Sequence, residues 1–180
     1  GRLWWLLRWL GHERVAVLDG GLKAWDSHHL PLDTSIAQIA PRSFHGQPRD
    51  DMLVTTQQLA SQRDPHTHCI LDVRTPERFA GEKEPIDPVA GHIPGARNLP
   101  YQSNLDAGDC YLPPEALQKM YRRVLDEVPP EHCVVMCGSG VTACQSLIAL
   151  ELAGLDGAKL YAGSWSEWIR DPARPVAANK

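Results

Sequence analysis

The sequence predicts an α/β domain with three layers, in which a mostly parallel central sheet is flanked by helices. Three observations predict it: short apolar runs typical of buried strands, helical segments between them, and prolines or glycines at the boundaries. Strands that alternate with helices favour parallel pairing, because each helix carries the chain back across a face of the sheet. Functional sites in such domains form at the carboxyl ends of the strands.

The predicted elements begin with suitable boundary residues. Thr55 or Thr56 can cap the first helix through its hydroxyl group, and Pro76 suits the first turn of the next one. In chain order, we predict a helix at 55–63, a strand at 69–73, a short helix that starts at 75–79, a turn leading into a strand at 91–99, a helix at 113–125, a strand at 132–136, a helix at 143–154 and a strand at 158–161.

Residues 3–25 repeat the pattern of residues 146–168. An offset of 143 residues aligns the two copies without a gap and pairs Gly11 with Gly154. Each copy predicts a helix that ends at this glycine, then a short strand and a glycine-containing turn. We therefore expect a tandem protein whose first domain mostly precedes this sequence.

The repeat divides the chain into three predicted parts. Residues 1–25 are the C-terminal remnant of a first domain, and residues 51–180 form a second domain. Residues 26–50 contain several prolines and lack a regular pattern, which is typical of an interdomain linker. Because the remnant lacks its own sheet, we expect its tryptophans to be partly exposed: Trp4, Trp5 and Trp9.

Composition limits the possible partners. Hydrophobic residues make up 43% of the 180 residues and charged residues 22%, as in a globular protein. A net charge of −4 argues against nucleic acid as a main partner. No apolar run approaches the roughly 20 residues that cross a membrane. We therefore expect neither a nucleic-acid partner nor a membrane partner.

The five cysteines follow neither the spacing of a disulfide framework nor that of a zinc site. Cys69 and Cys133 lie in apolar, strand-like runs and are expected in the core, whereas Cys110 lies in a polar segment and can be exposed. Cys144 can either pack in the core or resolve an oxidised Cys137. An odd number of cysteines without a disulfide framework favours a reducing compartment, so we expect a cytoplasmic protein.

Cys137 is the most informative residue, because it lies where a strand turns into a helix. The turn that follows consists of small or apolar residues: Gly138, Ser139, Gly140, Val141 and Thr142. Such a turn directs backbone N–H groups inward and forms an anion-binding nest, to which the positive end of the helix adds. A cysteine at the start of a helix ionises readily, and the thiolate is the nucleophile. The pattern predicts a cysteine that attacks or carries an electrophilic or anionic group.

Three chemistries use a cysteine of this kind: sulfur transfer through a persulfide, phosphoryl transfer and redox sensing. Cysteine phosphatases use a Cys-x5-Arg loop, whose arginine holds two phosphate oxygens. Here Ala143 takes the place of that arginine, and the turn itself contains no cation. This argues strongly against hydrolysis of phosphate esters, and a compact nest better suits a single extra sulfur atom.

Several other side chains are candidates near this turn. Arg74 follows a predicted strand, and Arg78 can hold a carboxylate through two hydrogen bonds or form a surface ion pair with a neighbouring glutamate. Ser139 and Thr142 can donate hydrogen bonds to a persulfide or a substrate oxygen, although Thr142 fits better as a helix cap. His92 is expected to fix the turn in which it lies.

Four motifs, in this order, resemble those of the rhodanese-like sulfurtransferases over roughly residues 51–170. They are Asp72-Val73-Arg74 with Arg78-Phe79, the turn from Gly91 to Asn98, the loop from Cys137 to Ala143, and the segment from Gly163 to Trp168. Residues 1–25 resemble the end of the non-catalytic first domain of the tandem members. The resemblance implies a three-layer rhodanese-like fold, a catalytic domain at 51–180 and no cofactor.

The resemblance also implies a reaction in two steps. Cys137 takes a sulfur atom from a small donor as a persulfide and passes it to cyanide, a thiol or a thioredoxin-like acceptor. The loop is similar to that of 3-mercaptopyruvate sulfurtransferases, which favours that donor. Thiosulfate-specific members place cations where Gly138 and Ser139 stand here. This difference disfavours thiosulfate, which is kept as the alternative donor. The non-enzymatic alternative is a persulfide carrier that is loaded by a partner protein.

Substrate binding is implied for Arg78, with Arg74 beside it. In the mercaptopyruvate enzymes an arginine at the position of Arg78 binds the substrate, and a serine at the position of Ser139 helps to protonate the leaving group. A second arginine of the family belongs to the acidic stretch before Gly91. Residues 82–90 contain no arginine and form a shorter stretch, which weakens the expected clamp of two arginines.

Overall fold

The computed structural model describes residues 1–61 and 67–179. Its strands are β1 (Cys69–Asp72), β2 (Arg97–Asn98), β3 (Cys133–Met136) and β4 (Lys159–Leu160), and they form one parallel sheet in the order β2-β1-β3-β4. Its helices are α1 (Arg2–Trp9), α2 (Gly21–Ser27), α3 (Thr56–Ser61), α4 (Pro76–Ala80), α5 (Pro114–Leu125), α6 (Ala143–Leu152) and α7 (Ser164–Trp168). The predicted α/β class is confirmed, whereas the predicted end of the first helix at Arg63 lies outside the described residues.

Alternate residues of the central strands face opposite layers of helices. Along β1, Cys69 and Leu71 pack in an apolar cluster with α5 and α6, while Ile70 packs in a second cluster with α3 and α7. The central strands are fully buried, as expected for parallel strands that are covered on both faces. The core positions predicted for Cys69 and Cys133 are confirmed. Among the described helices, none combines the length and apolar character needed to cross a lipid bilayer.

The register of β1 and β3 brings their carboxyl ends to the same edge of the sheet. Asp72 lies beside Met136, and the Val73 N–H donates to the Met136 carbonyl oxygen at 2.9 Å. Arg74 and Cys137, which follow these strands, therefore emerge at one edge. This is the edge at which parallel sheets form their sites.

The strand predicted at 15–18 is wrong. Its repeat counterpart β4 pairs with β3, but residues 15–18 have no neighbouring strand in the described structure and run mostly exposed. A strand without a partner leaves its backbone groups to water, so an irregular segment is equally stable there. Residues 19–25, which were predicted as a turn, contain α2. Its first residue, Gly21, has φ 60°, and the equivalent residue of the second copy, Ser164 at the start of α7, has φ 53°.

The expected exposure of Trp4 and Trp5 is also wrong. Only 9% of Trp4 and 3% of Trp5 is exposed, because α1 packs against α6 and joins the larger apolar cluster. Most residues of α6 are buried, so this helix covers the sheet on one side and receives α1 on another. Trp9 is half-buried and stacks on Trp5, with ring centroids 5.9 Å apart.

Helices α1 and α6 are related by the 143-residue offset, and one pair of equivalent positions is in direct contact. Arg8 corresponds to Glu151, and the two side chains form an ion pair with an N–O distance of 2.8 Å. Trp4 corresponds to Leu147, and both belong to the same apolar cluster. The copies thus meet along their matching helices.

A double-mutant cycle with Arg8→Ala and Glu151→Ala is expected to give a coupling free energy of only about 0.5 kcal/mol. The two side chains are 29% and 34% exposed, and burial raises the pKa of Glu151 despite the nearby Arg8. The cost of desolvation therefore offsets most of the attraction. Arg8→Ala alone should cost more, because the guanidinium lies 5.1 Å from the centroid of the Trp4 ring. Urea denaturation of the four proteins measures the coupling, and a value above about 1.5 kcal/mol would contradict the expectation.

Candidate active site

Cys137 is held at the end of β3 by contacts with the first turn of α7. Its backbone N–H donates to Ser164 Oγ at 3.1 Å, and its carbonyl oxygen accepts a hydrogen bond from the Trp165 N–H at 3.1 Å. Only 2% of the residue is exposed. These contacts fix the backbone of Cys137 on both sides and place the residue at the base of the following turn.

The turn after Cys137 presents backbone donors that no described protein atom uses. Within residues 1–61 and 67–179, the N–H groups of residues 138–142 have no protein acceptor. Gly140 has φ 72°, and a side chain there would overlap the carbonyl oxygen of Ala162, so the turn depends on glycine. Unpaired N–H groups at the start of α6 are the donors that an anion-binding nest requires.

The side chains of this turn add no charge to it. Ser139 and Val141 are exposed, and Thr142 lies at the N-cap of α6, as predicted, but its hydroxyl group does not cap the helix. Cys144 is buried in the core with its Sγ 3.3 Å from the Gly140 carbonyl oxygen. Burial raises the pKa of the Cys144 thiol, which favours the packing role over a redox role.

Arg78 lies beside the turn and is held by two carboxylates. Its Nε donates to both carboxylate oxygens of Glu84 at 3.0 Å, and its Nη2 donates to Asp87 Oδ2 at 3.0 Å. Among the described residues, Arg78 Nη1 has no hydrogen-bond partner, and it lies 3.5 Å from the point where a side chain on Gly138 would begin. Arg78 therefore presents one open edge of its guanidinium to the turn.

Asp87 connects Arg78 to the backbone of the turn. Its Oδ1 accepts a hydrogen bond from the Ser166 hydroxyl group at 2.7 Å, and the same hydroxyl group lies 2.8 Å from the Gly138 carbonyl oxygen. The Ser166 N–H also donates to that carbonyl oxygen at 2.9 Å. One serine thus fixes both the carboxylate and the first peptide of the turn.

Arg74, which was expected to bind substrate, is part of the scaffold beneath the site. The residue is 3% exposed. Its Nε and Nη2 donate to Asp72 at 3.1 and 2.7 Å, its Nη1 donates to Glu84 at 3.3 Å, and Nη2 also donates to the Gly91 carbonyl oxygen at 2.7 Å. The guanidinium carbon also lies 4.7 Å from the centroid of the Trp165 ring. These contacts occupy all three nitrogens of the guanidinium, so the structure favours a structural role for Arg74.

Comparison with known proteins agrees with this arrangement. The family described as "Rhodanese-like domain" matches residues 55–171. The chain belongs to this family. A probable 3-mercaptopyruvate sulfurtransferase of Pseudomonas aeruginosa is 49% identical over 177 residues, and the human 3-mercaptopyruvate sulfurtransferase is 36% identical over 177 residues.

The two relatives are longer than this rhodanese-like chain. Their alignments cover 98% and 97% of it, but 62% and 59% of the relatives, so the chain spans about three fifths of their length. The crystal structure of the Tum1 protein from Saccharomyces cerevisiae matches with a TM-score of 0.79 and 30% identity, covering 99% of this chain and 65% of that chain. The rhodanese-like fold predicted from the motifs is confirmed.

Glu84 is ionised in the rhodanese-like site. Burial alone would raise its pKa, but hydrogen bonds from Arg78 and from the backbone N–H groups of Asp87 and Ile86 outweigh burial and lower the pKa below its ordinary value. The negative charge beside Arg78 is therefore in place at neutral pH.

His92 fixes the turn that precedes β2 in the rhodanese-like domain, as predicted. Its Nδ1 lies 2.7 Å from the Phe79 carbonyl oxygen, and its ring stacks on the Phe79 ring with centroids 3.8 Å apart. Its backbone exchanges two hydrogen bonds with Ala177, at 2.8 and 2.9 Å. All these contacts are structural.

Sequence reasoning missed three residues of this site. Glu84 and Asp87 belong to the stretch at 82–90, which is notable in the sequence chiefly because it lacks an arginine. The sequence does contain a signal for these two residues, because acidic side chains a few residues after Arg78 can pair with it. Ser166 belongs to a family motif but had no assigned role. Within the described residues, no cluster of three or more His, Cys, Asp or Glu side chains could hold a metal ion.

Proposed function

We propose that this rhodanese-like domain transfers a sulfur atom from 3-mercaptopyruvate, through a persulfide on Cys137, to cyanide or a thiol. The observation that carries the proposal is the position of Cys137 at the base of a turn whose N–H groups have no protein acceptor among the described residues. A persulfide ends in a negatively charged sulfur, and such a nest stabilises a compact anion. The names of the relatives support the choice of donor.

In the first step, the Cys137 thiolate attacks the sulfur atom of 3-mercaptopyruvate and forms an S–S bond. The carbon–sulfur bond breaks, and its electron pair remains on the carbon, which gives the enolate of pyruvate. The thiol proton of the donor moves to that carbon, so the products are pyruvate and an ionised persulfide on Cys137. In the second step, cyanide takes the outer sulfur as thiocyanate, or a thiol takes it, and the Cys137 thiolate is restored.

Two side chains have proposed roles in the first step. The open Nη1 edge of Arg78 binds the carboxylate of the donor, since a guanidinium forms strong, charge-assisted hydrogen bonds with carboxylates. Ser139 is exposed at the mouth of the turn and can assist protonation of the leaving group. The N–H groups of Gly138, Gly140 and Val141 stabilise the negative charge on sulfur.

We further propose the setting in which this domain acts. Residues 51–180 form the catalytic domain of a tandem protein, residues 1–25 belong to a non-catalytic first domain, and residues 26–50 link them. The physiological acceptor is a thiol or a thioredoxin-like protein, and the reaction takes place in the cytoplasm, where cysteines stay reduced.

The intact mass of the chain after brief exposure to 3-mercaptopyruvate tests the proposal. We expect a gain of one sulfur atom, which cyanide removes with formation of thiocyanate. The same exposure to thiosulfate ranks the two donors. A mass gain with neither donor would refute the proposed enzyme activity, and loading only by a partner protein would favour a persulfide carrier.

Two cysteine variants locate the added sulfur. Cys137→Ser should abolish the mass gain, because a serine hydroxyl group cannot form the persulfide. Cys110→Ser removes a half-buried thiol in a loop and should leave the gain unchanged. If the gain persisted in Cys137→Ser, the nucleophile would be a different residue.

A further inference from the structure

The stretch at 82–90 gives the site an excess of negative charge around its arginines. Glu84 pairs with Arg74 at 3.3 Å and with Arg78 at 2.7 Å, and Asp87 pairs with Arg78 at 3.0 Å. Asp72 also pairs with Arg74. Three carboxylates thus surround two guanidinium groups, and this linked cluster carries a formal charge of −1.

The positions of the two carboxylates decide which part of Arg78 remains available. Glu84 occupies the Nε edge, and Asp87 occupies Nη2. The remaining nitrogen, Nη1, faces the turn after Cys137 and has no partner among the described residues. A ligand can therefore reach one nitrogen of an arginine whose charge is already balanced.

Asp87 brings its negative charge close to the place where a donor must lie. Its Oδ2 is 3.9 Å from the point where a side chain on Gly138 would begin, while Arg78 Nη1 is 3.5 Å from the same point. An anion beside Gly138 thus meets an attractive and a repulsive group at similar distances. One negative charge can be placed on the open edge of Arg78, but a second one at this place is repelled by Asp87.

We propose that Glu84 and Asp87 determine donor specificity by balancing the charge of Arg78, so that the site accepts donors with one negative charge and rejects dianions. The proposal rests on the proposed function and names its substrate class: α-keto thiols with a single carboxylate, in preference to thiosulfate. Discrimination here includes a repulsive element directed against the wrong donor, as selective sites commonly do. A dianion would need a second cation, whereas Arg78 is flanked here by two carboxylates, Glu84 and Asp87.

The ratio of kcat/KM for thiosulfate to kcat/KM for 3-mercaptopyruvate tests this inference on the full chain. Asp87→Asn should raise the ratio about 10-fold or more, because relief of one like-charge contact is worth at least that factor. Glu84→Gln should raise it in the same direction. An unchanged ratio in Asp87→Asn would overturn the proposal.

Two matched variants separate local charge from net charge and from packing. Glu82→Gln removes one negative charge from an exposed position in the same stretch and should leave the ratio unchanged. Asp87→Glu keeps the charge and should keep the low ratio. If Glu82→Gln raised the ratio as much as Asp87→Asn, the effect would be one of general charge and the proposal would be wrong.

A second readout does not depend on sulfur transfer. Sulfate is a dianion and pyruvate a monoanion, and each can slow the alkylation of Cys137 by iodoacetamide. In the unsubstituted chain, we expect pyruvate to slow the alkylation of Cys137 more than sulfate does. In Asp87→Asn, we expect sulfate to slow the alkylation more than it does in the unsubstituted chain. If no donor loads Cys137 but this change in protection occurs, the proposed function fails while the charge selectivity stands. If Cys137 is loaded but Asp87→Asn changes neither readout, only this inference fails.

Discussion

Replacing Arg74 with alanine is expected to lower the free energy of unfolding by about 3–5 kcal/mol. The guanidinium is nearly inaccessible and pairs with Asp72, whose side chain is fully buried. Its removal leaves this carboxylate without a counter-charge and frees the carbonyl oxygen of Gly91, which accepts a hydrogen bond from Arg74 at 2.7 Å. The contact with the Trp165 ring is lost as well.

Guanidinium chloride denaturation of Arg74→Ala and Arg170→Ala measures this effect. Arg170 is exposed at the end of α7, so its replacement should change the unfolding free energy by no more than about 0.5 kcal/mol. Arg74→Lys should still cost well over that, because an ammonium group cannot reproduce the paired hydrogen bonds to Asp72. A loss in Arg74→Ala that matched Arg170→Ala would show that the buried pair is not needed for stability.

Gly140→Ala is expected to lower both the stability and the rate of sulfur transfer. A positive φ costs a non-glycine residue about 1–2 kcal/mol. The new side chain would also overlap the Ala162 carbonyl oxygen and lie 3.0 Å from the Ala162 Cα, which adds about 1–3 kcal/mol of overpacking. The turn must shift to relieve this overlap, and a shift of about 1 Å in a reactive site can lower the rate roughly 100-fold.

Gly154→Ala is a matched control for this substitution. Gly154 has φ 66°, close to the 72° of Gly140, but no atom lies within 4 Å of the point where a side chain on Gly154 would begin. Its replacement should therefore cost only the backbone part, about 1–2 kcal/mol, and leave the rate of transfer unchanged. Denaturation midpoints and kcat/KM with 3-mercaptopyruvate compare the two variants. Equal stability losses and equal rates would contradict a steric role for Gly140.

The fold of residues 67–171 could be predicted because local and distant signals agree there. The apolar runs at β1 and β3 are buried by helices whose boundaries carry Pro76 and Gly154, so a pattern read locally also describes the packing. The prediction failed in part of residues 1–25, because residues 15–18 repeat the pattern of β4 but have no neighbouring strand among the described residues. Trp4 and Trp5 are buried against α6, which is far from α1 in the sequence. A hydrophobic pattern alone does not show which surface will cover it.

The site was predictable in part for the same reason. The turn after Cys137 is one continuous segment, so its glycines and its position between a strand and a helix could be read directly. The pairing of Arg78 could not be read from the sequence. It depends on how residues 82–90 fold back over α4 and on the contact between Asp87 and Ser166, which are 79 residues apart. Arg74 and Arg78 look alike in sequence, yet one is enclosed by Asp72, Glu84 and Trp165 and the other keeps an open edge.

The pairing of α1 with α6 has a consequence for how the two copies could have diverged. Contact between equivalent positions is the mark of an isologous interface, such as two identical chains form around a two-fold axis. In such a dimer the position shared by Arg8 and Glu151 would face its own copy, so an arginine would meet an arginine and a glutamate a glutamate. When the two copies of the pattern lie in one chain, the two positions can differ, and here Arg8 and Glu151 form an ion pair in place of a contact between like charges. Two copies of one pattern in a single chain can thus form contacts that a symmetric dimer of that pattern excludes.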